Sequence, residues 1–281
     1  MDAKVKLILV EGIPGSGKTT AARFIQQRLN EQGIQTALFL EGDLDHPADY
    51  ESTACLGAEE YRALRRDFPQ SMDVLDAWER PDGEDYFFPY RKMETHLGAS
   101  PTGGLDARLL DRLRQAEVYE QPPAVFERVI NRRWQTLARQ ASQQETVYIF
   151  ECCFLQNPLT MLLGRCGLPA SHAADFVLTL GSAVEKLNPR LVYLHPSSTS
   201  ETLRRVAGER PPEWLDFVIW YHTQQGYGRA HGLQGFDGLV SFYEMRQAVE
   251  LDLLPRLPFS TLKIEGAGLQ ETRRLLEQYF F

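Results

Sequence analysis

The chain is poor in cysteine, in lysine and in long apolar runs. Four of its 281 residues are cysteine (Cys55, Cys152, Cys153 and Cys166). None forms Cys-x-x-Cys, and no Cys/His spacing resembles a zinc site. Reduced thiols in a cytoplasmic protein are expected. Adjacent Cys152 and Cys153 fit either a redox pair or two small packing residues beside a buried strand, and packing is the expectation. No apolar run approaches the roughly 20 residues of a membrane helix. Met1-Asp2-Ala3-Lys4 leads into a short strand-like segment and not into a signal peptide. Lysine supplies only 6 of the 30 basic residues, which stand against 38 acidic ones for a net charge of −8. That balance disfavours nucleic acid and anionic membranes as partners, since both select a basic face. A small anionic ligand needs only a local basic pocket. The arginine excess suits phosphate recognition, although a GC-rich codon bias explains it equally well.

Hydrophobic residues make up 43% and charged residues 24%, an ordinary globular balance. Short apolar runs of strand length alternate with helical patterns. Val5 to Val10, Thr36 to Leu40, Val147 to Phe150, Leu191 to Leu194 and Thr261 to Ile264 read as strands. Lys18 to Gln32 reads as a helix with Ala21, Phe24, Ile25 and Leu29 on one stripe and Gly33 as its stop. Helices are also expected after Pro122-Pro123 and Pro211-Pro212, between Ser171 and Asn188, behind the capping pattern Ser198-Thr199-Ser200-Glu201, and over Asp237 to Leu254 and Leu269 to Tyr279. Such alternation predicts an α/β fold with a mainly parallel sheet covered on both faces. The chain reads as a single domain over 1–281. Residues 50–142 form a mostly helical insertion between the second and third strands, with loops or hinges at Pro81-Asp82-Gly83 and Gly98 to Gly104. Residues 199–238 form a lid or acceptor region after the fourth strand.

Between the first strand and the first helix stands Gly12-Ile13-Pro14-Gly15-Ser16-Gly17-Lys18-Thr19, which fits G-x-x-x-x-G-K-[ST]. Glycines there let successive main-chain N–H groups converge on phosphate oxygens, and the helix N-terminus adds about half a positive charge. Lys18 is expected to reach the β- and γ-phosphates, and the Thr19 hydroxyl to bind Mg²⁺. The stretch resembles the Walker A loop of the P-loop NTPases. Its form from Gly12 to Thr20 is similar to that of small-molecule, nucleoside and nucleotide kinases in that superfamily. No Asn-Lys-x-Asp element suggests a GTPase, and no LSGGQ-like stretch suggests a transporter ATPase. The resemblance implies a P-loop kinase-like core of strand order 2-3-1-4-5. It also implies MgATP bound by Gly12, Pro14, Gly15, Ser16, Gly17, Lys18, Thr19 and Thr20.

Ligands of parallel sheets bind beyond the strands' carboxyl ends. After the second strand comes Glu41-Gly42-Asp43-Leu44-Asp45-His46. It is similar to the acidic stretch of adenylylsulfate kinases and to the single Glu of deoxynucleoside kinases. Asp43 is the first candidate for the base or the acceptor-orienting group, and Glu41 the second; the alternative is a solvated acidic turn in which Asp45 or Asp49 caps a helix. After the third strand comes Glu151, a candidate Mg²⁺ anchor alongside Thr19. Cys152-Cys153 stand where deoxynucleoside kinases carry Arg-Ser. Gln156 and Asn157 are possible acceptor contacts or plain turn residues. The nucleotide-kinase lid maps onto Leu203 to Pro211, where Arg210 is the first candidate and Arg204 the second to neutralise charge on the transferring phosphate. Arg65-Arg66 and Arg132-Arg133 read as solvated faces. Tyr86-Phe87-Phe88-Pro89-Tyr90, Trp78 and Trp134 read as packing, and Tyr221 to Gly228 as a mobile acceptor-side loop.

The expected activity is transfer of the γ-phosphate of MgATP to a hydroxyl or phosphate of a small-molecule acceptor such as a nucleoside, a nucleotide or an antibiotic-like metabolite. The alternative is an NTP-hydrolysing switch acting on a protein partner.

Overall fold

The computed structural model describes residues 4–98 and 105–281. Met1 to Ala3 and residues 99–104, which hold most of the Gly98 to Gly104 stretch, lie outside the described residues. Eight strands are formed among the described residues: β1 (Leu7–Gly12), β2 (Thr36–Phe39), β3 (Ala54–Gly57), β4 (Arg80–Asp82), β5 (Asp85–Phe88), β6 (Val147–Glu151), β7 (Arg190–His195) and β8 (Ser260–Glu265). The chain divides into two compact units, Met1–Glu41 with Asn131–Phe281, and Gly42–Ile130.

The first unit is α/β, built on a five-stranded parallel sheet of order β2-β6-β1-β7-β8. All six residues of β1 are buried, as a central strand covered on both faces requires. β1 registers Leu9 on Phe150 of β6 and on Leu191 of β7. The edge strand β8 exposes Ser260, Lys263 and Glu265. One face of the sheet packs Ile8, Val10, Ile149, Val192, Leu194 and Ile264 against Ala21, Ala22, Ile25 and Leu29 of the helix Lys18–Glu31 and Leu276 of the helix Leu269–Phe280. Each such fully buried Ile, Val or Leu contributes about 1.5–3 kcal/mol. The first helix stops where the sequence places its glycine. Gly33 takes φ 75° and its N–H donates to Asn30 O at 2.9 Å, closing the last turn. Among the described residues, no helix is long and apolar enough to cross a membrane.

The second unit overlaps the stretch 50–142 read as a mostly helical insertion, beginning before it at Gly42 and ending within it at Ile130. It carries helices, and also a three-stranded antiparallel sheet of order β3-β5-β4 that periodicity does not reveal. Its strands are three or four residues long, too short for an alternation to register. Its aromatic stretch is packing. Tyr86 stacks on Tyr61 at 3.8 Å, Phe87 stacks on Tyr50 at 4.4 Å, and Phe88 is fully buried. Arg65 pairs with Asp76 and donates to the Tyr61 hydroxyl.

Candidate functional site

β1 delivers the chain into the glycine loop at the centre of the sheet. Gly12 has φ 144°, and a Cβ there would stand 2.5 Å from Leu194 O of β7. Gly15 has φ 79°, and its Cβ would stand 2.1 Å from Val206 Cγ2. Both positions therefore demand glycine, by backbone conformation and by space. Gly17, at φ 97°, caps the helix Lys18–Glu31 without a side-chain bond, and the first turn holds no acidic residue. Its free N–H groups and positive dipole end are thus open to an anion. The buried Lys18 Nζ donates to Gly12 O and Ile13 O, both at 3.0 Å, and to Gln156 Oε1 at 3.3 Å. All three acceptors are neutral. Burial works against the ammonium charge. Cys152, once ionised, and the carboxylates of Glu41 and Glu151 outweigh it, so the group's pKa lies above the ordinary lysine range. The buried Ser16 Oγ has no partner among the described residues. Thr19 and Thr20 are exposed in the first helical turn, and Pro14 is half-buried in the loop.

Two carboxylates meet beside this loop because β2 and β6 are parallel neighbours, with Phe39 opposite Phe150. The residues just past their ends emerge together. Thr19 Oγ1 donates to Glu151 Oε1 at 2.7 Å, and the Glu41 N–H points to Glu151 Oε2 at 3.5 Å. Gln156 Nε2 donates to Glu41 Oε1 at 2.8 Å, and the Cys152 thiol to Glu41 Oε2 at 3.4 Å. Glu41, Glu151 and Cys152 each bring one possible ligand atom within 4.8 Å of the others. Cys152 makes the turn out of β6 at φ 70°, a conformation costly for a non-glycine residue. Burial pushes its thiol well above the usual range, so it acts as a neutral donor. Cys152 therefore has a polar role beyond packing. No disulfide forms among the cysteines of the described residues.

The buried Glu11 carries no signal in the sequence, yet it holds the loop that carries Gln156. The N–H groups of Phe154 and Gln156 donate to its two oxygens at 2.8 and 3.1 Å. Burial raises its pKa from 4.5 to about 7, against the lowering effect of those N–H groups. The native state therefore binds a proton at Glu11 that the unfolded chain has already released. Stability from this group is full below pH 4.5 and is lost as pH rises through about 7, by on the order of 3 kcal/mol. Chemical denaturation at pH 5 and pH 8 is expected to show that loss in the wild type and a flatter dependence in Glu11→Gln. Equal slopes would contradict this assignment.

The remaining residues that the sequence points to make other contacts. Asp43 belongs to the second unit, where its Oδ1 accepts the Asp45 N–H at 2.8 Å. Asp45 pairs with Lys92, and His46 Nδ1 accepts the Ala48 N–H at 3.1 Å. The carboxylate after β2 that joins the cluster around Lys18 is Glu41. Arg204 lies over the Phe236 ring at 5.3 Å. Arg210 is exposed in extended backbone past the helix Thr199–Glu209. The arginine that reaches the glycine loop is their neighbour Arg205, whose Nη2 donates to Gly15 O at 2.6 Å. Thr202, Arg205 and Val206 share the helix face turned to Gly15, a spacing of three and four that could have identified Arg205. Trp134 packs between Phe150 and Phe154. The stretch Tyr221 to Gly228 is not a loop. It joins the helices Pro212–Thr223 and Gly226–Ala230, which pack so closely that a Cβ on Gly228 would stand 2.1 Å from His222 O.

Beyond the ends of β7 and β8, a cleft opens beside the glycine loop. Gly15, Ser16, His195, Pro196, Arg205 and Gly266 are among its walls. Two buried residues orient His195 there. Thr199 Oγ1 donates to Gln247 Oε1 at 2.6 Å, which turns the Gln247 amide nitrogen toward His195 Nδ1 at 3.1 Å. No protein-family model matches the chain, and no curated protein matches it significantly.

Proposed function

We propose that the protein is a P-loop kinase-like phosphotransferase that moves the γ-phosphate of MgATP to a small-molecule acceptor. The observation that carries this reading is the arrangement around Lys18. A positive-φ glycine loop follows the central strand, opens an uncapped helix and curls round a buried ammonium that, among the described residues, is bonded to neutral acceptors alone. The strand order β2-β6-β1-β7-β8 supports it, being the order 2-3-1-4-5 expected of that core. The partnerless Ser16 hydroxyl and the cleft beside Gly15 support it further.

In this reading the loop N–H groups and Lys18 take the phosphate oxygens, and the nucleoside part lies in the cleft beside Arg205. Thr19, with Glu151 behind it, would hold Mg²⁺, and Glu41 adds a second carboxylate there. When bound, the ion neutralises charge across the phosphate oxygens. Glu41 accepts the proton of the acceptor hydroxyl as its oxygen bonds to the γ-phosphorus and the bond to the β-phosphate oxygen breaks, releasing ADP. Gln156 keeps Glu41 and Lys18 in register by bonding to both. Most of the rate comes from this positioning and from charge complementarity.

The test is ADP release from MgATP with and without a panel of nucleosides, nucleotides and hydroxylated antibiotics. Stimulation by a small molecule, with a phosphorylated product seen by mass spectrometry, is expected. Stimulation by macromolecules alone would favour the hydrolytic switch. Arg205→Ala is expected to raise the KM for ATP about tenfold, since a hydrogen bond to a charged group is lost. Arg210→Ala is expected to leave it unchanged, and equal effects would remove Arg205 from the donor side.

A further inference from the structure

On the first unit, the helix Gly235–Leu253 buries an arginine that the phosphate loop does not use. Arg246 is 1% exposed. Its Nε lies 3.0 Å from Glu250 Oε1, and Glu250 is fully buried. Its Nη1 donates to Thr160 Oγ1 at 2.9 Å, and its guanidinium covers the Tyr243 ring at 4.9 Å. Nη2 has no partner among the described residues. A second buried nitrogen in the same neighbourhood also lacks one. His222 shares a hydrogen bond of 3.2 Å between its Nε2 and the Tyr243 hydroxyl, while its Nδ1 is unpaired among the described residues. Leaving buried polar groups unmade is costly, so two orphans flanking one tyrosine mark a place built for a polar guest. Thr160 opens a π-helical stretch, Thr160–Arg165, a distortion found often at functional sites.

The place adjoins the proposed reaction centre. Thr160, which Arg246 bonds, follows by four residues Gln156, which bonds both Lys18 and Glu41, and Tyr193, which bonds Glu250, stands opposite Glu11 in the sheet. Burial keeps His222 neutral, with a pKa near 3. With the Tyr243 hydroxyl donating to Nε2, Nδ1 carries a proton that it can donate.

We propose that Arg246, aided by His222, binds an oxyanion of the acceptor, so that the phosphotransferase acts on a phosphate- or carboxylate-bearing compound. This rests on the phosphotransferase reading and adds the charge of its substrate. The partnerless Nη2 can donate a charge-assisted hydrogen bond to an oxygen of either group. Glu250 and Tyr193, whose hydroxyl donates to Glu250 Oε2 at 2.5 Å, fix the arginine from behind.

The experiment is calorimetry on the full chain saturated with magnesium and the β,γ-imido analogue of ATP, which fills the glycine loop. Inorganic phosphate and acetate are then titrated separately. One further site is expected for at least one of them, phosphate marking a phosphorylated acceptor and acetate a carboxylate. Arg246→Lys is expected to weaken it at least about tenfold, and Arg246→Met with Glu250→Gln about 30-fold or more. The double variant avoids stranding a buried charge, and the lysine variant retains that charge if the double variant does not fold. Analogue binding without a second site, or a site untouched in the variants, would overturn the assignment while leaving the donor site standing. Failure of the analogue itself to bind would overturn both.

Discussion

Lys18→Ala is expected to lower kcat/KM for ATP about a thousandfold, the scale on which one charge-stabilising donor matters at a transition state. The loop itself is expected to survive. Gly12, Gly15 and Gly17 hold their own positive-φ conformations, and the apolar cluster that includes Ile8, Val10 and Ile25 does not depend on the ammonium. Removing Lys18 also removes a cation whose charge is felt by Glu41 and Glu151, so some repulsion between the two carboxylates is released into the site. A thermal melt within a few degrees of wild type, beside the kinetic loss, is the expected pattern. Full activity in this variant would separate Lys18 from phosphate handling.

Glu41→Gln is expected to lower kcat about 10²–10³-fold, the range for a positioned general base. Donor affinity should fall far less. The substitution is conservative in shape, because the amide oxygen still accepts from Gln156 Nε2 in place of Glu41 Oε1. What disappears is the charge, the ability to take a proton and the acceptor of the Cys152 thiol. Steady-state kinetics with ATP and acceptor varied separately distinguishes the roles. Equal losses in ATP affinity and turnover would assign Glu41 to the metal alone. Asp43→Asn is expected to cost less, since the amide oxygen can keep the Asp45 N–H bond that Asp43 accepts.

The parts of this molecule legible in the sequence are those written in local pattern. β1 reads as an apolar run because a central parallel strand is buried on both faces. The glycine loop reads as a motif because its φ angles and close approaches admit few residues. The helix stop at Gly33 reads for the same reason. Glu151 and Glu41 are legible as carboxylates placed at the carboxyl ends of apolar strands. In sequence Asp43 and Glu41 are alike as carboxylates after β2, and only the bonds from Gln156 and Cys152 mark Glu41 as part of the cluster around Lys18. Other site residues are set by contacts far apart in the chain. Glu11 meets Phe154 across 143 positions, and Tyr193 meets Glu250 across 57. No local periodicity marks a buried charge whose partner comes from a distant element. Arg205 is intermediate, since its helix face is legible but its target, Gly15, is not.

The most direct measurement is calorimetric titration of MgATP into the wild-type chain. One site is predicted, with binding heat that is lost in Lys18→Ala and weakened when magnesium is withheld. No heat from the wild-type protein in the presence of magnesium, or undiminished heat from the alanine variant, would contradict the account.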